Sequence, residues 1–166
     1  MHYLIDGHNL IGKMQDIELD DPDDEVKLVL RLRSWSASGR KRKITLIFDQ
    51  GLPGGEEKGL SSGQVKVIFA PAGRSADSLL LSRIENVRNP GEYTLVSSDR
   101  RIIRLAESRR MPVLRSEAFA IRMGQEQAQR MGNLATESVD DPQMNAGEVE
   151  MWLDIFTGEQ GDSEGK

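Results

Sequence analysis

Two hydrophobic rhythms alternate along this chain. Short, nearly continuous apolar runs end at Asp6 and span Ile44–Phe48, Gln64–Phe69, Tyr93–Ser97 and Met111–Leu114, and these read as strands. The run Ile44-Thr-Leu-Ile-Phe48 lacks the in-out alternation of a half-solvated strand, as expected for a parallel strand covered on both faces. Between the runs, apolar residues recur at helical spacing. Val26, Leu28, Val29, Leu32 and Trp35 predict a helix from Glu25 to about Ser38, ended by Gly39. Leu79, Leu80 and Ile84 predict a helix from Ala76 to about Val87, capped by Ser75. Further helices are expected from Arg100 or Arg101, and from Glu117 to about Met131 behind a Ser116 cap. Strands alternating with helices predict a three-layer α/β/α sandwich with a mostly parallel sheet.

The connections are equally marked. Gly7 follows the first strand, and its freedom of backbone is expected to let the chain turn there. Gly51 to Gly63 holds five glycines and a proline and reads as a mobile loop beside the sheet edge. Residues 1–131 therefore form the expected domain, 132–146 a polar linker and 147–157 a short amphipathic helix with Val149, Trp152, Leu153 and Phe156 in one stripe. Residues 158–166 read as a disordered tail.

Composition narrows the chemistry. The 166 residues suit one domain with a substantial core, and with no cysteine a metal would have to use oxygen ligands or the two histidines. No apolar run approaches the roughly 18 residues of a membrane span, and no signal peptide is recognisable, so the chain reads as cytoplasmic and without a membrane partner. The net charge of -5 conceals a basic middle: residues 31–130 carry nineteen basic and ten acidic side chains between acidic ends. Such a middle can steer a polyanion, although solvated helix arginines explain any single stretch of it.

Four carboxylates stand where strands end or helices begin: Asp6, Asp49, Asp77 and Asp99. In a parallel sheet those positions converge on one edge. Carboxylates brought together repel unless a cation lies among them, and hard divalent ions such as Mg²⁺ and Mn²⁺ prefer oxygen donors. That chemistry suits phosphodiester hydrolysis. Asn9, Ser97 and Ser98 are placed to position water or phosphate, and Arg40, Lys41, Arg42, Lys43, Arg74, Arg100, Arg101 and Arg104 are candidate phosphate contacts, the run Arg40 to Lys43 reading equally well as a soluble turn. Asp77 alone is equally well explained as a partner for its helix dipole. The acidic stretch from Asp16 to Glu25 lacks the spacing and glycine of a calcium loop, and the glycine-rich loop lacks the Gly-Lys-Ser/Thr of a P-loop.

Taken in order, Asp6-Gly-His-Asn9-Leu-Ile-Gly12, Ile47-Phe-Asp49, Gly54-Gly-Glu-Glu57, Ser75-Ala-Asp77 and Ser97-Ser-Asp99-Arg resemble the NYN/PIN-like ribonucleases, and within them the bacterial YacP-like branch. The similarity runs to about Leu114, and the stretch Glu148 to Phe156 also resembles that branch. The resemblance implies a PIN-like fold and divalent-metal-dependent endoribonuclease activity. It implies that Asp6, Asp77 and Asp99 bind metal, with Asp49 a fourth member and Asn9 beside them. RNA is the implied substrate, with a ribonucleoprotein complex as a further candidate partner. Two positions depart from the branch: His8 stands where Tyr is more usual, and Asp77 is followed by Ser78 instead of an acidic residue.

A non-catalytic RNA-binding module on the same fold is the alternative, against which stands the retention of all four aspartates. A phosphatase or phosphoacceptor domain fits poorly, because His8 occupies the place of the second aspartate that a dehalogenase-type site needs.

Overall fold

Strand residues sort by parity onto two cores. The computed structural model describes residues 1–38, 42–49 and 54–137, with side chains of the last helix described to Asn133. In β1 (His2–Asp6), Tyr3 and Ile5 face one core and Leu4 the other. In β2 (Lys43–Phe48), Ile44, Leu46 and Phe48 join the first core and Ile47 the second. Both faces are covered, which is why these runs carry so few polar residues. With β3 (Gly55–Glu56), β4 (Val65–Phe69), β5 (Tyr93–Val96) and β6 (Val113–Leu114), the strands form one sheet in the order β3-β4-β2-β1-β5-β6. Every neighbouring pair is parallel except β3 with β4.

The helices fill the two outer layers. Helices α1 (Gly7–Ile11), α2 (Asp24–Ala37) and α5 (Ser116–Glu137) cover the first face through Leu10, Leu28, Leu32, Trp35 and Phe119. Trp35 meets Tyr3 and Phe119 edge-on, with ring centroids 5.1 and 5.0 Å away. Helices α3 (Ala76–Asn86) and α4 (Arg100–Ser108) cover the second face through Leu80, Ile84, Ile102 and Ala106. The expected three-layer sandwich is the observed architecture. The chain leaves β1 toward β2 on one side and later crosses to β5 on the other, so β1 lies at the switch point, where open α/β sheets form their crevice.

Three local features differ from expectation. Gly7 does not reverse the chain but opens α1; glycine is required because a Cβ there would lie 2.3 Å from two ring carbons of Phe48. The glycine-rich loop contributes β3, whose antiparallel pairing with Ile68 and Phe69 outweighs its poor strand composition. The last helix continues past Met131 and Gly132 to Glu137, since one glycine costs about 1 kcal/mol and does not by itself end a helix. By contacts, the chain divides into two compact units, Met1–Gln127 and Ala128–Lys166, with the division inside α5. Gly39, the expected end of α2, lies outside the described residues, as do residues 138–146 of the linker, the 147–157 helix and the 158–166 tail.

Candidate active site

Asp6 is the innermost of the four aspartates. It ends β1 and caps α1, its Oδ1 accepting the Asn9 N–H at 3.3 Å, and it is 6% exposed. Burial pushes its carboxyl up to about pKa 6; the Asn9 hydrogen bond opposes this, while the charges of Asp77 and Asp49 add to it. The Ser97 hydroxyl donates to Asp6 Oδ2 at 3.3 Å and accepts the Asp99 N–H at 3.1 Å. One buried serine thus ties the end of β1 to the end of β5.

The remaining three aspartates are held by helix starts. Asp99 caps α4, its Oδ1 accepting the N–H groups of Arg101 at 2.8 Å and Ile102 at 3.0 Å. Asp49 follows β2, and its Oδ1 accepts the Ala76 N–H at 2.6 Å in the first turn of α3. Asp77 lies one residue further along. Partial burial raises its pKa, the charges of Asp99 and then Asp49 raise it further, and Arg101 opposes them. Every aspartate of the four therefore feels at least one other, and two are pushed toward the protonated form.

The oxygen donors suit Mg²⁺ or Mn²⁺, and the mutual repulsion is what a bound cation would relieve. Among the described residues no three acidic or histidine side chains are close enough to clasp an ion by themselves.

A family model described as the YacP-like NYN domain matches residues 3–151. This chain belongs to the YacP-like NYN domain family. The family consists of RNA-related proteins on a nuclease fold. A crystal structure of Rae1 (YacP) from Bacillus subtilis superimposes with a TM-score of 0.67, at 15% identity over 95% of this chain and 91% of that one. A single-substitution variant of Rae1 gives the same TM-score at 14% identity, covering 85% and 86% of the two chains. At that identity the likeness speaks for the fold. No curated protein sequence matches the chain.

Within this NYN domain the other candidates divide by what they already hold. The Asn9 side chain faces inward: its Oδ1 accepts the Ser98 N–H at 2.9 Å and the Ser116 hydroxyl at 2.8 Å. It joins α1, the β5–α4 junction and the start of α5, a positioning task. Ser98 donates its hydroxyl to Glu117 at 2.5 Å, and Lys13 lies 3.2 Å from the other Glu117 oxygen. Those bonds, Ser98 first, hold the Glu117 carboxyl down at about pKa 2.

The basic candidates also separate. Arg74, Arg100, Arg101 and Arg104 are exposed on the loop before α3 and on α4, with Arg101 near enough to act on Asp77. Arg42 is occupied within the fold: its guanidinium lies 4.0 Å over the Trp35 ring and 2.8 Å from Glu126. Lys43 begins β2, at the opposite end of the strand from Asp49. Arg40 and Lys41 lie outside the described residues.

Sequence reasoning read Ser116 only as a helix cap and passed over Glu117 and Lys13; the Asn9–Ser116 and Lys13–Glu117 contacts cross about a hundred positions of chain. It also set His8 aside, yet Nε2 of His8 lies 3.2 Å from Glu25 and Nδ1 lies 3.9 Å from Asp49. A histidine two residues from Asp6 on a one-turn helix was the available signal.

Proposed function

We propose that this NYN domain is a divalent-metal-dependent endoribonuclease. The observation that carries the reading is Asp6, a buried carboxylate pushed up to about pKa 6 at the switch point of a nuclease-type sheet, within the field of Asp77 and Asp49. A site that leaves a carboxylate poorly solvated and beside like charges is arranged for a cation.

Asp6, Asp77 and Asp99 would hold the ion only together with water, since among the described residues no three carboxylates clasp one alone, and Asp49 would add negative charge from the β2 end. When bound, Mg²⁺ or Mn²⁺ supplies Lewis acidity toward the scissile phosphate and makes hydroxide accessible near neutral pH. The protein's own groups do the rest. Ser97 and the Asn9 N–H fix the orientation of the Asp6 carboxylate. The Asn9 side chain keeps the Ser98 and Ser116 segments in place around it. Arg74, Arg100, Arg101 and Arg104 would draw in the RNA backbone, while Ser97, already bonded to Asp6, would position water only through that carboxylate. Asp99 would lend one oxygen to the ion and keep the other on the α4 backbone.

None of the described helices is long and apolar enough to cross a membrane. RNA in the cytoplasm, free or within a ribonucleoprotein complex, is the proposed substrate. The test incubates the purified full chain with defined RNAs, with and without Mn²⁺ or Mg²⁺. Internal cleavage that needs the ion and disappears in Asp6→Asn and Asp99→Asn is the expected result. RNA binding without cleavage under every ion condition would instead establish a binding module.

A further inference from the structure

The end of the sheet opposite the aspartates is also built, and differently. Where β1 and β5 begin, the His2 ring lies stacked on Tyr93, with centroids 4.6 Å apart and planes 23° from parallel. His2 Nε2 lies 2.8 Å from the Thr45 hydroxyl, so the imidazole is fixed from both sides. Burial, followed by nearby cations including Lys43 and Arg83, lowers the His2 pKa, which keeps the ring neutral and suited to stacking.

A cavity of about 400 Å³ opens beside this ring pair, bordered by Arg83 from the last turn of α3 and by Arg88 just after it. A second, of about 560 Å³, touches the same two rings and reaches Lys43. Either volume is in the range of a small-ligand site. Among the described residues Arg83, Arg88 and Lys43 form no ion pair, and the carboxylate bordering both cavities, Glu92, lies 3.4 Å from the Asn89 amide nitrogen. The exposed carbonyls at the end of α3 would ordinarily repel an anion, but Arg109 donates to the Val87 carbonyl at 2.9 Å. An ordered aromatic pair, flanked by cations with no ion-pair partner among the described residues and by side-chain amides, matches a ligand with a flat base and an attached phosphate.

We propose that this edge of the sheet is a second nucleic-acid site, holding one nucleotide of single-stranded RNA with its base against the His2–Tyr93 pair and its phosphate on Arg83 and Arg88. The site rests on the reading of RNA as ligand, but not on cleavage. His2 and Asp6 bracket β1, roughly 13 Å apart along the strand, so the two sites are separate and a substrate would have to run along the molecule to meet both. The second site grips RNA flanking the stretch that meets the aspartate edge.

The test measures binding of a fluorescently labelled single-stranded RNA of roughly a dozen nucleotides to the full chain in EDTA, where cleavage is suppressed. The double variant Arg83→Ala/Arg88→Ala is expected to weaken binding about five- to ten-fold and to flatten its salt dependence by roughly 0.7 per lost phosphate contact. Tyr93→Leu should weaken binding about five-fold with little change in salt dependence, provided its thermal midpoint matches the parent. The same fold-losses should appear when the arginine and tyrosine changes are made in an Asp6→Asn background, which separates failure at this site from failure of the nuclease reading. Unchanged affinity and salt slope in the double arginine variant, or no RNA binding by the parent protein, would overturn the proposal. So would uridine monophosphate binding as tightly as the oligonucleotide, because the site would then serve a free nucleotide.

Discussion

Asp6 is the residue at which stability and function pull in opposite directions. Its carboxylate is buried and faces the fields of Asp77 and Asp49, and the two hydrogen bonds it accepts do not fully compensate. A folded-state pKa raised from 3.8 to about 6 favours the protonated form, so this residue's contribution is fully present below about pH 4 and lost as pH rises through about 6. A shift of that size corresponds to about 3 kcal/mol once the group is ionised. Asp6→Asn keeps the shape and an acceptor for the Asn9 N–H while removing the charge. In EDTA, urea unfolding should therefore find Asp6→Asn more stable than the parent at pH 7.5, by up to about 3 kcal/mol, with the two proteins converging near pH 4. An equal difference at both pH values would mean that Asp6 is not strained by ionisation. Such a cost to the fold is what the proposed cation site would require, activity being traded against stability.

At the scale of single elements, helix starts and the acidic edge are one structure. Asp99 caps α4 through two backbone N–H groups, and Asp49 reaches across to cover the first turn of α3, which also has the Ser75–Ser78 capping box. Capping needs an acceptor oxygen, and holding a cation needs a negative charge; the two requirements can be separated by substitution. Asn is about as good an N-cap as Asp, whereas Ala removes the cap at a cost of about 1 kcal/mol. Asp99→Asn should accordingly unfold at the parent's urea midpoint, within error, yet lose RNA cleavage. Asp99→Ala should lose both, its midpoint falling by the amount a lost cap predicts. If Asp99→Asn cleaved like the parent, Asp99 would be a cap and nothing more. The coincidence also explains why these positions stand out in the sequence: a carboxylate that ends an apolar run and precedes a helical pattern is marked from both sides.

For the whole molecule, legibility followed the range of the forces involved. The layer order was readable because runs such as Ile44–Phe48 record burial on both faces, and parallel topology alone put Asp6, Asp49, Asp77 and Asp99 at the strand ends and helix starts of one sheet edge. What escaped was held by distant partners. Helix α1 has too few residues for a periodicity and is kept by the buried Leu10 and Ile11 and by the Asp6 cap. Strand β3 exists only through its pairing with β4. The inward turn of Asn9 depends on Ser98 and Ser116, and the engagement of Arg42 depends on Trp35 and Glu126, none of which a local pattern discloses. The charge gathered at the carboxyl-terminal sheet edge has a consequence for the molecule as a unit. A cation that binds the folded site but not the unfolded chain stabilises by mass action, about 1.4 kcal/mol at ten times its dissociation constant. For a domain of this size that corresponds to a rise in the thermal midpoint of about 3 to 5 °C. Adding Mn²⁺ or Mg²⁺ to the parent protein should produce this rise, EDTA should reverse it, and Asp6→Asn and Asp99→Asn should each reduce it by more than half. A rise of equal size in both variants would place the ion elsewhere on the surface, and the strain at Asp6 would then lack the cation proposed to relieve it.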